Sequence, residues 1–183
     1  MYFGPTKSIS DLHGILALQR QNLTINLQPD EIQSQGFVTV HHSFDQLKQL
    51  DDYEKHILAK DGDRVVGYVL AMTEKSKADI AVLIPMFEIF DQIVFKDRKI
   101  SDFNYLVIGQ VCVDKEYRGQ GIFDKCYEAY GKHYRGKFDF AVTEIAVTNT
   151  RSLRAHFRIG FKEIHRYVSG GTDWSIVLWD WNR

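Results

Sequence analysis

A chain of 183 residues, 44% apolar and 26% charged, has the make-up of an ordinary globular protein and the length for one domain with a sizeable core. Its formal net charge of −1 gives no electrostatic footprint for nucleic acid or an anionic membrane, and its longest apolar run, "IAVLIPMF", is far too short to span a bilayer. Two cysteines, Cys112 and Cys126, fall at no metal-ligand spacing, and the first residues lack the basic start and apolar stretch of a secretory leader, so a reduced, cytoplasmic protein without a metal is expected.

In chain order, "SDLHGILALQRQNL" predicts a helix capped by Ser10, with Leu12, Ile15, Leu16 and Gln19 at helical spacing. Pro29 to Gln35 is compatible with a second short helix, "GFVTVHHS" reads as a strand, and "FDQLKQLDDY" as an amphipathic helix. "KHILAKDGDRVVGYVLAM" is a hairpin turning at Asp61-Gly62. From Ala78 to Val94 the pattern is ambiguous. Pro85 suits a first helical turn, after which Phe87, Phe90, Ile93 and Val94 would share a face.

"NYLVIGQVCV" then reads as a strand, followed by a polar segment and a helix from about Gly121 to Tyr134. "FDFAVTEIAV" is a further strand, "NTRSLRAHFRI" a helix capped by Asn149, and "FKEIHRYV" and "WSIVLWDW" a last hairpin around Gly170-Gly171. Strands alternating with helices predict an α/β fold with a mixed sheet, and the absence of repeats or a Ser/Pro/Gly-rich linker predicts one domain over residues 1–183.

The chemistry-bearing stretch is Arg118-Gly119-Gln120-Gly121, between a strand ending at Val113 and a helix. A helix N-terminus has unpaired N–H groups and a partial positive charge, so it receives phosphate. Glycines let a ligand approach the backbone, and an arginine adds charge-assisted hydrogen bonds. Two glycines at such a junction are also ordinary turn chemistry. Named rivals fail: a P-loop needs Lys-Ser/Thr where Ile122-Phe123 stand, and a dinucleotide fingerprint needs a third glycine where Asp124 stands.

"VCVDKEYRGQGIF" resembles the phosphate motif Q/R-x-x-G-x-G/A of the GNAT superfamily of acyl-CoA-dependent N-acetyltransferases, with Arg118 and Gly121 at its first two fixed positions and Phe123 where Gly or Ala is usual. "EIAVTNTRSLRAHFRIGFKEI" is similar to the next family motif, with Asn149, Gly160 and Phe161 in place. The likeness covers most of the chain and is poorest over residues 76–100. It implies the GNAT fold, a mixed, mostly antiparallel central sheet flanked by helices, with a splayed strand that binds acyl-CoA. It further implies acetyl-CoA as cosubstrate, held by Val111, Cys112 and Val113 along that strand. Arg118, Gly119, Gln120, Gly121, Ile122 and Phe123 would receive its pyrophosphate, and Asn149 and Ser152 at the next helix would complete the contacts. The Phe123 ring is then expected to point away from the pyrophosphate.

The implied reaction is direct attack of a primary amine on the thioester, with a backbone N–H of Val111 or Val113 facing the developing oxyanion. Gln110 stands where many relatives carry a glutamate and cannot take a proton, which leaves the base to another residue, such as Glu144, or to a water chain. Glu144 also reads as a structural hydrogen-bond acceptor. His156 stands where many relatives have a tyrosine acid, and is read either as the general acid for the departing thiolate or as a packing histidine. Cys112 shares a strand face with Gln110 and reads as a buried thiol rather than an acyl carrier. His41 and His42 are expected on opposite faces of a strand. Arg151, Arg154 and Arg158 share a helix face as a solvated row or a contact for the cofactor's 3′-phosphate.

Residues 1–95 carry 8 Lys and Arg against 13 Asp and Glu, a net of −5, and residues 96–183 carry 15 against 11, a net of +4. The acidic half would attract a cationic amine, so the expected partner is an amine of a small molecule or a peptide end rather than an anionic sugar nucleotide. A homodimer stays open, and the other functional reading is a silent CoA-binding or sensing module of the same fold.

Overall fold

The computed structural model describes residues 1–26, 28, 37–78 and 84–181. In chain order its elements are β1 (Tyr2–Pro5), α1 (Ile9–Asn22), α2 (Phe44–Tyr53), β2 (Ile57–Asp61), β3 (Arg64–Met72), α3 (Ile84–Phe90), β4 (Val94–Phe95), β5 (Arg98–Lys99), β6 (Tyr105–Val113), α4 (Ile122–Tyr134), β7 (Phe140–Ala146), α5 (Thr150–Ile159), β8 (Lys162–Ser169) and β9 (Thr172–Asp180). Seven strands form a sheet in the order β1-β2-β3-β6-β7-β9-β8, and β4-β5 is a separate hairpin. The β1–β2, β2–β3, β7–β9 and β8–β9 pairs are antiparallel, whereas β6–β7 is parallel. This is the mixed, mostly antiparallel sheet flanked by helices that the GNAT resemblance implies.

The chain resolves into two compact units, Met1–Ala71 with Ile108–Tyr134, and Met72–Val107 with Arg135–Arg183. In the first, α1 starts at Ser8 rather than Ser10. Ser8 Oγ accepts from the Asp11 N–H at 3.3 Å, and Asp11 Oδ2 accepts the Ser8 N–H at 3.2 Å. The reciprocal box satisfies two donors where a lone cap satisfies one. The apolar face of α1 packs Leu12, Ile15 and Leu16 with Leu47 of α2, Leu58 of β2 and Val65, Tyr68 and Leu70 of β3. Gly14 permits that approach, since a Cβ there would lie 2.5 Å from Val65 Cγ2.

Over its described residues, 37–43, the expected strand "GFVTVHHS" does not form. Val38 makes only an isolated bridge to Leu23, its N–H donating to the Asn22 carbonyl at 3.1 Å, and the segment to Ser43 is irregular. His42 is buried and His41 exposed, but not by strand alternation. The helix considered for Pro29 to Gln35 lies outside the described residues.

In the second unit α3 contains Pro85 in its first turn and buries Met86, Phe87 and Phe90. Phe90 meets Tyr105 edge-on at 6.0 Å, and Tyr105 stacks on Phe140 at 6.1 Å. Val94 does not share the helix face: it begins β4 and is 65% exposed. The β4–β5 turn puts Lys96 at φ 49° and Asp97 at φ 62°. Two consecutive positive values are what a two-residue hairpin of this hand requires, and Lys-Asp gives little sequence sign of it. The β8–β9 hairpin turns at Gly170-Gly171, as expected, with both glycines at positive φ.

Candidate functional site

The turn before α4 is built in the first unit. The strand β6 ends at Val113, the Asp114 N–H donates to the Val66 carbonyl at 2.9 Å, and a short 3-10 turn over Lys115–Tyr117 leads to Arg118. Gly119 and Gly121 both sit at φ +76°, a region that disfavours any side chain, and a Cβ on either would meet no atom within 4 Å. The space above the turn is therefore open, and α4 starts there. Close approach of β3 sets the helix start: a Cβ on Gly67 would fall 3.1 Å from Ile122 Cγ2.

Arg118 holds the turn from within. Its Nε donates to the Val113 carbonyl at 3.1 Å and its Nη2 to Asn22 Oδ1, at the last residue of α1, at 2.6 Å. Gln120 Nε2 donates to the Glu116 carbonyl at 2.9 Å. The Phe123 ring lies along the helix on Tyr127, with centroids 4.8 Å apart. An aromatic residue at that position is thus accommodated on the helix itself.

On β6, Gln110 and Cys112 share a face and are buried. Gln110 Oε1 accepts from Tyr68 Oη at 2.6 Å and from Gln19 Nε2 at 2.8 Å, and Gln110 Nε2 donates to the Val40 carbonyl at 2.9 Å. Burial pushes the Cys112 thiol up to about 12, that of a packed thiol and not of a nucleophile. Burial lowers His42 to about 4, helped by the nearby His56 and His41. Gln19, His42 and Tyr68 were not singled out by sequence reasoning as site residues. One signal was available: Gln19 is a polar side chain on the apolar stripe of α1, and a buried polar group needs a partner.

The parallel register of β6 with β7 covers only Tyr105–Val107. Val111, Cys112 and Val113 lie beyond it.

In the second unit Asn149 caps α5, its Oδ1 accepting the Ser152 N–H at 3.3 Å. His156 is 1% exposed; its Nδ1 donates to the Ser152 carbonyl at 2.8 Å, and its ring meets Phe161 edge-on at 5.0 Å. Burial lowers it to about 4. A neutral ring whose Nδ1–H is already given to a carbonyl is a poor proton donor at neutral pH, so this geometry speaks for the packing role of His156 and against the acid role. Glu144 accepts a hydrogen bond from the Tyr167 hydroxyl, and its carboxyl is raised by desolvation. Arg151, Arg154 and Arg158 are exposed. Among the described residues no group of three or more His, Cys, Asp or Glu is placed to hold a metal, and no helix is long and apolar enough to cross a membrane.

Comparison with known proteins gives the same family. No curated protein sequence matches the chain. Solved structures match over nearly the whole length. smu.2055 from Streptococcus mutans UA159 is 16% identical with a TM-score of 0.66, covering 98% of this chain and 99% of that one. The NatC complex bound to Gag peptide and CoA is 17% identical with a TM-score of 0.65, covering 98% and 97%. The ribosomal-protein-S18-alanine N-acetyltransferase from Escherichia coli is 10% identical with a TM-score of 0.63, covering 98% and 92%. At these identities the likeness shows the fold. The profile of the Acetyltransferase (GNAT) family matches residues 24–161. With three quarters of its length matched, including the glycine turn before α4 and the Asn149-capped helix, the chain belongs to the GNAT acetyltransferase family.

Proposed function

We propose that the protein is an acetyl-CoA-dependent N-acetyltransferase acting on a primary amine of a small molecule or peptide, with residues 1–183 working as one acetyltransferase domain. The observation that carries this reading is the open turn at Gly119 and Gly121, where two positive-φ glycines lead into the N-terminus of α4 with no protein atom in the space a Cβ would take. Such a turn fits a pyrophosphate, which needs close backbone approach and N–H donors. Acetyl-CoA, when bound, would supply an acetyl thioester whose carbonyl carbon bonds to the free-base amine while the C–S bond breaks, the amine's proton going to water and the sulfur leaving as the CoA thiolate.

The backbone from Arg118 to Phe123 holds the diphosphate. Arg118 acts mainly by fixing the turn to Val113 and Asn22. The backbone of Val111, Cys112 and Val113 holds the pantetheine arm, and Val111 or Val113 gives an N–H to the oxyanion, a contact worth about 3 kcal/mol in comparable sites. In the second unit Asn149 caps α5 by accepting the Ser152 N–H. His156 sets the shape of that helix through Ser152 and Phe161. A thiol's ordinary value is about 8.5, so the sulfur leaves without an obligatory acid.

The test is calorimetry with CoA, followed by an acetyl-transfer assay against a panel of amines. Saturable heat with transfer to an amine supports the enzyme. No heat with millimolar CoA removes the reading. A specific observation favours the second reading, a silent CoA-binding module: Gln110 is locked among neutral partners and His156 is buried. CoA binding with no transfer to any amine would decide for that module.

A further inference from the structure

Asp114, the first residue after β6, uses every polar atom it has on the approach to the glycine turn. Its N–H donates to the Val66 carbonyl at 2.9 Å and its carbonyl accepts the Tyr117 N–H at 2.9 Å. Its Oδ1 accepts the Glu116 N–H at 3.0 Å, and its Oδ2 accepts from Arg64 Nη2 at 2.7 Å. The first bond anchors the segment on β3, the next two shape the 3-10 turn over Lys115–Tyr117, and the last ties it to the tip of the β2–β3 hairpin. Asp61 and Arg64 are the cross-strand pair that closes that tip, and both reach the same segment. Arg64 Nη2 also meets Glu116 Oε2 at 2.9 Å, its guanidinium carbon lies 5.6 Å from the Tyr117 ring centroid, and the Tyr117 hydroxyl donates to Asp61 Oδ2 at 2.9 Å. Gly62 takes no part, since a Cβ there would meet nothing within 4 Å.

The strength of this latch lies in its buried member. The Asp114 side chain is 5% exposed, against 52% for Arg64 and 64% for Glu116. The Arg64–Glu116 pair stands in water and adds little, whereas a carboxylate as buried as Asp114 needs a cation and hydrogen bonds to stay there. Gly119 and Gly121 have no side chains to order them. The stretch therefore depends on its neighbours: Arg118, bonded to Val113 and Asn22, and the latch just before it.

We propose that Asp114 and Arg64 are positioning residues for the diphosphate of CoA: the pair, with Asp61 and Tyr117 beside it, sets the glycine turn in its receiving arrangement before the ligand arrives. The inference rests on the CoA-binding reading above. Loss of the pair lets Asp114 turn toward water and draw the 3-10 turn with it, and a ligand whose site is formed in only a fraction of the molecules binds more weakly by that fraction. The sign of the effect sets this role apart from plain electrostatics. A carboxylate repels an anionic ligand, so Asp114 favours CoA only through what it holds in place. Asp114→Asn removes a negative charge and keeps an oxygen for the Glu116 N–H. Charge alone predicts tighter CoA binding in that variant, and positioning predicts weaker.

The experiment uses the full chain, with CoA affinity read by calorimetry, so that it decides whether or not an acceptor amine is in hand. Asp114→Asn should raise the CoA Kd about tenfold, a fall of the binding-competent fraction to about a tenth. With an amine that gives turnover, KM for acetyl-CoA should rise alike while kcat stays within about twofold, because the turn acts on binding and not on the reacting atoms. Arg64→Gln should match this loss, and Arg64→Lys, which keeps the charge but not the planar fork, should lie between. The double variant should bind no worse than the weaker single one, since a latch is lost only once. Tyr117→Phe changes no charge and should raise Kd about threefold. Asp52→Asn, which removes an equal charge from the exposed Lys48–Asp52 pair of α2, is the control and should leave Kd within about twofold. Tighter or unchanged binding in Asp114→Asn, or strictly additive losses in the double variant, would overturn the inference. If Asp114→Asn does not fold, an unchanged Kd in both Arg64→Gln and Tyr117→Phe overturns it instead. A parent chain that does not bind CoA would remove the reading on which the inference depends, and the inference with it.

Discussion

Gly121 separates what the fold needs from what a ligand needs. With φ at +76° and no atom within 4 Å of a built Cβ, Gly121→Ala adds backbone strain but no clash. That strain is about 1–2 kcal/mol, which for a chain of this length lowers Tm by roughly 2–8 °C. Gly62, in the β2–β3 turn, has φ +56° and equally open surroundings, so Gly62→Ala carries a similar cost and serves as the control. Acetyl-CoA at a hundred times its Kd stabilises a folded protein by about 2.7 kcal/mol, a rise of roughly 5–11 °C in Tm here. Thermal melts with and without acetyl-CoA read both effects. Both variants should melt lower than the parent; Gly62→Ala should keep the ligand-induced rise, and Gly121→Ala should lose most of it, because its methyl group occupies the space through which a phosphate approaches. A full ligand-induced rise in Gly121→Ala would refute the cradle at this turn.

Three further outcomes follow from buried groups. His42, His56 and His156 are each lowered by burial to about 4 from an ordinary 6.5; the unfolded chain binds more protons between those values, so their contribution is complete above about pH 6.5 and falls away toward pH 4. By pH 5 the loss is on the order of 2 kcal/mol per histidine, and urea titrations at pH 7 and pH 5 measure it. His156→Phe keeps an aromatic ring against Phe161 but loses the bond to Ser152; turnover should stay within about threefold, whereas a loss of about a hundredfold or more with CoA binding intact would restore the acid role. Gly14→Ala places a methyl group 2.5 Å from Val65 Cγ2 and should destabilise by about 1–3 kcal/mol. Combining it with Val65→Ala should restore part of that loss in a double-mutant cycle, and strict additivity would show that the two residues do not collide.

Much of the architecture was legible because it rests on local rules. The helices of "FDQLKQLDDY" and "NTRSLRAHFRI" begin at side-chain caps, Ser43 and Asn149, that act on their own first turns. The β2–β3 and β8–β9 hairpins turn where glycine takes positive φ. The glycine turn before α4 could be located for the same reason: its two positive-φ glycines and the helix start that follows them are neighbours in sequence.

What sequence alone did not reveal depends on partners far along the chain. "GFVTVHHS" has the composition of a strand, yet Val38 bridges only Leu23 while Val40 and His42 bond to Gln110 and Gln19, so side-chain amides take the place of a strand partner. Ser10 is the expected cap, but the helix starts earlier because Asp11 closes a reciprocal box with Ser8. Position 156 by itself showed a titratable ring in a family motif; only burial against Phe161, with Nδ1 held by Ser152, indicates that the ring stays neutral. Gln110 could be read as a residue unable to take a proton. That its oxygen is saturated by Gln19 and Tyr68, 91 and 42 residues away, is a property of the packed core. Local hydrogen-bonding and turn preferences act over a few residues and are written in sequence order, whereas burial and proton affinity are set by whichever distant side chains the fold brings into contact.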